Sequence, residues 1–142
     1  MAVYGVNSTL ARAGGLASQT ARGIYDARVK CIVDSYEASS LATASEIYMG
    51  NTLPAGARIQ EIILAWDALQ ATCQLSVGDA AASMRYISAV IASTVGFARL
   101  SHIDGFDYVI GTASNDNQIV IKTSGASAAT GTIKIAIFYT QD

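Results

Sequence analysis

From Arg28 onward, apolar and polar residues alternate with a period of two along most of the chain. In Arg28 to Tyr36, Val29, Cys31 and Val33 alternate with Arg28, Lys30, Ile32 and Asp34. That is the pattern of a half-buried strand with Val29, Cys31 and Val33 inward. Ala38 to Ala44 reads as a loop, Glu46 to Met49 as a short strand, and Gly50 to Gly56 as a turn containing Pro54, the only proline. Arg58 to Trp66 carries Ile59, Ile63 and Ala65 on one face and Ile62, Leu64 and Trp66 on the other. A strand apolar on both faces is central or meets a neighbouring subunit. Ile62, Leu64 and Trp66 are therefore subunit-interface candidates. Thr72 to Val77 alternates again, with Cys73, Leu75 and Val77 on the apolar side, and Gly78-Asp79 closes it.

Asp79 to Thr94 breaks the rhythm. Asp79 can cap an Ala-rich first turn, but Ile87, Val90 and Ile91 are β-branched. The spacing predicts a short helix followed by extended chain, with a strand around Arg85 to Val90. Further strands are predicted over Phe106 to Ile110, Gln118 to Thr123 and Thr132 to Tyr139. The turn Asn115 to Asn117 and the flexible loop Ser124 to Gly131 separate the last three. About eight regularly spaced short strands predict an all-β chain, an antiparallel β-sandwich of jelly-roll type.

Residues 1–27 have neither period, and Gly14-Gly15 would break any helix begun at Leu10. They nevertheless hold Val3, Tyr4, Val6, Leu10 and Leu16, more apolar residues than a solvating tail requires. The expected organisation is an extended N-terminal arm over 1–27, ordered on contact, and a β-sandwich domain over 28–142.

Composition sharpens this picture. The chain has 142 residues, 51% hydrophobic and only 14% charged, against about 25% charged in an average soluble domain. So little charge leaves neutral or apolar surface to be covered, which points to a homo-oligomer or a docking partner. Nine basic and eleven acidic residues, net −2, leave no electrostatic footprint for nucleic acid. Arg12 and Arg22 are the only charges before Asp26 and make the arm mildly basic. Two cysteines without a CxxC spacing predict buried free thiols in a reducing compartment. No stretch is long and apolar enough to predict a membrane partner, and the N-terminus lacks the apolar core of a signal peptide.

Catalytic chemistry is thinly supplied. The single histidine, His102, lies in Ser101-His-Ile-Asp104, too compressed in sequence for a catalytic triad and without a nucleophile elbow. There is no zinc spacing, P-loop or dinucleotide fingerprint. The loops around Asp104 and Asp107 and around Asp116 offer oxygen ligands for Ca²⁺, but neither has EF-hand spacing. No enzyme activity, cofactor or metal is expected. Trp66, Tyr36, Tyr48, Tyr86, Tyr108 and Tyr139 fall mostly at strand ends among apolar neighbours, which favours packing over a sugar-binding platform.

Four segments carry a family resemblance: Leu53-Pro-Ala-Gly-Ala57, Trp66-Asp-Ala-Leu69, Leu75-Ser-Val-Gly-Asp79 and Ile133-Lys-Ile-Ala-Ile-Phe-Tyr139. Over about Arg28 to Asp142 the chain resembles the capsid decoration, or cement, proteins of tailed bacteriophages, with a jelly-roll-like core. The resemblance implies a non-enzymatic virion protein, made in the host cytoplasm. It would bind the outside of the capsid as a homotrimer and stabilise the shell. The implied partners are the major capsid protein and sister copies. The arm residues Val3, Tyr4, Val6, Leu10, Arg12, Leu16 and Arg22 are then the capsid-binding candidates. The alternative is a trimeric fibre module that binds a host receptor or carbohydrate.

Overall fold

The computed structural model describes residues 28–112, 115–125 and 128–141. The arm residues named above, and with them the boundary at residue 27, lie outside this range. The described residues form eight strands and no helix. In chain order these are β1 (Lys30–Leu41), β2 (Glu46–Met49), β3 (Arg58–Trp66), β4 (Gln74–Gly78), β5 (Ile87–Ile91), β6 (Gly96–Arg99), β7 (Ile119–Ser124) and β8 (Ala129–Thr140). They make two four-stranded sheets, ordered β1-β8-β3-β6 and β2-β7-β4-β5. Every pairing is antiparallel. Successive strands cross from one sheet to the other except β4 and β5, which are neighbours in the second sheet. This is the jelly-roll order, the fold class expected from the pattern.

The inward rows of the two sheets meet in one core. Ile133, Ile135 and Ile137 of β8 and Ile62 and Leu64 of β3 pack in one cluster with Leu75, Val77, Ile119 and Ile121 of the other sheet. All of these are at most 1% exposed, and each such side chain contributes about 2 kcal/mol by leaving water. The connecting loops gather at the two ends of the sandwich. One end holds the loops after β1, β3, β5 and β7; the other holds those after β2, β4 and β6.

Four expectations change. No helix follows Asp79. Its Oδ1 does accept the amides of Ala81 and Ala82, the capping chemistry foreseen, but its own amide donates to the Ala82 carbonyl. That closes a tight turn instead of opening a helix. Gly78 is needed there because a Cβ would overlap the Ala82–Ser83 backbone. The chain then enters β5, close to the strand expected around Arg85 to Val90.

Phe106 to Ile110 is not a strand either. It makes one isolated bridge, Val109 to Arg58, and the sixth strand lies earlier, at Gly96–Arg99.

On β1 the inward face is the opposite of the one expected. Ile32 and Tyr36 pack against the core cluster, whereas Val29, Cys31 and Val33 are exposed. Asp34 sits in the inward row at the sandwich edge, and its Oδ2 accepts the Gly50 amide at 2.7 Å. That bond ties β1 to the end of β2. The other thiol, Cys73, is fully buried as expected.

On β3 the pairing with β8 skips a residue between Ile59 and Glu61. This bulge at Gln60 turns Ile59 to the same side as Ile62, so both are fully buried. Ile62, Leu64 and Trp66 belong to the core and offer little surface to a neighbour, Trp66 being 7% exposed. The residues of this strand segment on the outer face are Ile63 and Ala65, which are half-buried.

Candidate interaction surfaces

The outer face of the β1-β8-β3-β6 sheet is built row by row from the strand registers. One row runs Cys31, Phe138, Glu61. The next runs Val33, Ala136, Ile63, Arg99, and the one after it Ser35, Lys134, Ala65, Phe97. Apolar side chains dominate its centre, and its rims are open: Val33 is 73% and Phe97 71% exposed. The sequence reading missed this face. Period-two alternation places residues on opposite sides of a strand but does not tell inside from outside when both sides are apolar. Two of its charges cancel locally, since Arg99 donates to Glu61 Oε2 through Nη2 at 2.7 Å and through Nε at 3.1 Å.

The outer face of the other sheet has a different character. Glu46, Tyr48 and Lys122 share it; the Tyr48 hydroxyl donates to Glu46 at 3.1 Å and Lys122 lies 3.8 Å from the same carboxylate. These three polar side chains form a solvated patch on its β2-β7 half.

The loop end formed by residues 79–86, 100–112 and 115–118 is braced by a polar network. Asp79, whose side chain is fully buried, receives Arg85 Nε at 2.6 Å. The Arg85 guanidinium lies 4.0 Å from the centre of the Tyr108 ring. The Tyr108 hydroxyl donates to Asp116 Oδ2 at 2.9 Å, and the same oxygen accepts the Gly111 amide. Tyr86 meets Tyr108 edge to face at 6.3 Å. Burial is the main cause that pushes the Tyr86 and Tyr108 hydroxyls above the ordinary tyrosine range. Over this brace stand Met84, Ile103, Phe106 and Val109, with Ile103 83% exposed.

Among the described residues, the structure does not bring the sequence's catalytic and metal-ligating candidates together. His102 Nε2 lies 2.8 Å from Ser88 Oγ, not from Ser101. Among the described residues no carboxylate bonds to its ring to orient it, so the triad logic is incomplete. Asp107 is engaged by Arg58 and Gln60, and Asp116 by Tyr108 and Gly111. Among the described residues no group of three His, Cys, Asp or Glu is placed to hold a metal ion. The aromatic residues weighed for sugar binding are dispersed. The Trp66 indole is buried and donates to the Thr94 carbonyl at 2.8 Å, Tyr86 and Tyr139 are buried, and Tyr48 stands alone on the opposite sheet.

Neither a family model nor a curated protein matches this sequence. Solved structures do. A chain of the cyanophage Pam1 capsid asymmetric unit superposes with a TM-score of 0.69 at 24% identity, covering 83% of this chain and 88% of that one. A chain of the capsid of Ralstonia phage GP4 gives 0.65 at 20% identity, covering 81% and 85%. The chain has the fold of phage capsid chains. A third case, from the acid-stable capsid structure of Helicobacter pylori bacteriophage KHP30, gives 0.55 at 13% identity over 80% of this chain and 93% of that one. The shared part is nearly the whole of each partner, so the jelly roll is matched as a unit and not as a fragment.

Proposed function

We propose that this chain is a structural protein of a bacteriophage particle, one that binds the outside of the capsid as a trimer and stabilises the shell. The observation that carries this reading is the match of the complete sandwich to chains of phage capsid structures, over four-fifths of the sequence. The surface chemistry supports it. An apolar, locally neutral sheet face suits contact with protein, and no arrangement of side chains on the described residues suits a reaction. The exposed loop tip over a rigid brace is likewise a contact feature.

In this reading the major capsid protein and sister copies are the partners, and residues 1–27 are a capsid-binding arm. Val3, Tyr4, Val6, Leu10 and Leu16 supply its apolar anchors, with Arg12 and Arg22 for acidic groups on the shell. Three arms on one trimer bind multivalently, so weak individual contacts add to a large avidity.

Mass spectrometry of purified particles tests the reading directly. The chain is expected at an abundance comparable with that of the major shell protein. Particles made without it should release DNA at a lower temperature, and adding the purified protein should restore the higher one. Absence from purified particles, or an abundance of a few copies per particle, would overturn it.

A further inference from the structure

The end of the sandwich that holds the loops after β2, β4 and β6 is also the end at which residues 1–27 join the fold. Lys30 opens β1 and pairs with Tyr139, Tyr139 pairs with Ile59, and the Ile59 amide donates to the Tyr108 carbonyl. These residues make one row, in which the loop after β6 takes the place of a strand beside β3. Three steps between neighbouring backbones separate Lys30 from Tyr108, roughly 15 Å. Around the Tyr108 end of the row stands an apolar tip: Ile103 is 83%, Phe106 55%, Met84 49% and Val109 41% exposed. The tip is held stiffly. The Ser101 and His102 amides both donate to the Tyr86 carbonyl, which laces the two loops together, and a Cβ at Gly105 would overlap the Arg85 carbonyl. Asp107 has a φ of 58°, a conformation uncommon outside glycine. It is clamped there: its carboxylate accepts from Arg58 and Gln60, and its amide donates to the Ile59 carbonyl at 2.8 Å. Apolar side chains that are exposed yet already fixed lose little entropy when a partner covers them.

We propose that the outer surface of the capsid covers this tip, so that the sandwich stands on the shell with its β2-, β4- and β6-loop end down. This rests on the capsid reading above and adds which end of the sandwich meets the shell. The exit of the chain identifies the occupant. The 27 residues before Arg28 reach at most roughly 90 Å from their point of attachment. That point lies roughly 15 Å from the tip, so arm and tip can engage one surface together. Contact by either then raises the effective concentration of the other. The opposite end of the sandwich lacks this shared origin. Charge narrows the partner patch. Asp104 is exposed and stands outside every ion pair of the described residues, whereas Asp107 and Arg85 are paired. The shell surface under the tip is therefore apolar, with a basic group placed for Asp104.

The test is binding of the full chain to particles stripped of it, with Ile103→Asp, Phe106→Asp and the control Val95→Asp. Val95 is 73% exposed on the loop after β5, at the opposite end of the sandwich. Both tip variants should bind about 10-fold or more weakly, the loss expected when an apolar anchor is replaced by a charge. Val95→Asp should bind like the wild type, and all should keep the wild-type circular dichroism spectrum and melting temperature. The unsubstituted protein gives a second readout that needs no variant to fold. Peroxide converts the exposed Met84 thioether to the sulfoxide. That reaction should slow at least several-fold on particles relative to the free chain. Wild-type binding that both tip variants keep, with Met84 equally reactive free and bound, overturns the proposal and leaves the capsid reading standing. An equal loss in Val95→Asp overturns it too. Met84 already protected in the free chain at high concentration assigns the tip to a second copy, with the same consequence. A wild type that does not bind particles overturns the capsid reading itself, and the orientation falls with it.

Discussion

At the scale of single residues, the loop end depends on a buried ion pair. Asp79 has no exposed side-chain surface, and Arg85 answers its charge together with the Ala81 and Ala82 amides. Removing one partner of such a pair leaves an uncompensated buried charge. Arg85→Met should therefore cost about 3 kcal/mol, read as a loss of stability in urea denaturation. Tyr86 behaves differently. Its hydroxyl is buried without a partner among the described residues, and burial holds its pKa well above the ordinary value near 10. Above that pH the unfolded chain gives up this proton while the folded chain keeps it. The folded state then binds more protons, and stability falls as pH rises, by about 1.4 kcal/mol per pH unit for one such group. Tyr86→Phe should leave stability at pH 7 nearly unchanged and remove part of the fall between about pH 10 and 11. Thermal melts at stepped pH values decide it; a variant as alkali-sensitive as the wild type would refute the assignment.

At the scale of elements, β3 is the strand whose two faces carry different duties. The bulge at Gln60 aligns Ile59 with Ile62 and Leu64 toward the core, and leaves Ile63 and Ala65 outside. Two neighbouring isoleucines should therefore respond unequally to the same change. Ile62→Ser removes a fully buried side chain and leaves a polar group in a cavity, a loss of about 4 kcal/mol or more. Ile63→Ser, half-buried on the outer face, should cost about 1 kcal/mol in the monomer. Chemical denaturation of the pair gives the ratio. Equal losses would mean that the bulge does not set the faces as described. The sequence carried the alternation from Ile62 to Trp66 plainly, but nothing in it marked the one extra residue that brings Ile59 to their side.

At the scale of the whole molecule, low charge and an apolar outer face on the β1-β8-β3-β6 sheet fit the proposed contact role. The arm belongs to this scale too. A chain lacking residues 1–27 should keep its circular dichroism spectrum and melting temperature, because the core cluster of the described residues is built from β1 to β8 and their connections. Under the proposed function, its affinity for capsids should fall by about 100-fold, the loss expected when several linked weak contacts are removed together. A binding assay on particles stripped of the protein measures this, and unchanged affinity would assign the grip to the sandwich itself.

The amino-acid sequence alone determined that this is a β-sandwich of about eight strands. Six of those strands announce themselves by period-two alternation between turn residues, and period is a local property. The absence of clustered histidines and the scarcity of charge are likewise visible without a fold. Only the tertiary structure decided which side of each strand is inside. On β1, Val29, Cys31 and Val33 are as apolar as Ile32 and Tyr36 are, so the pattern was symmetric. The side facing the second sheet was settled by packing against it and by Asp34 reaching Gly50. The same holds after Asp79, where a capping residue and an Ala-rich turn suit a helix or a reverse turn equally. Closure against Gly78, with Tyr86 and Ile87 drawn into the core, favoured the turn and the strand. Local chemistry set the elements; burial, a property of the assembled sheets, set their faces.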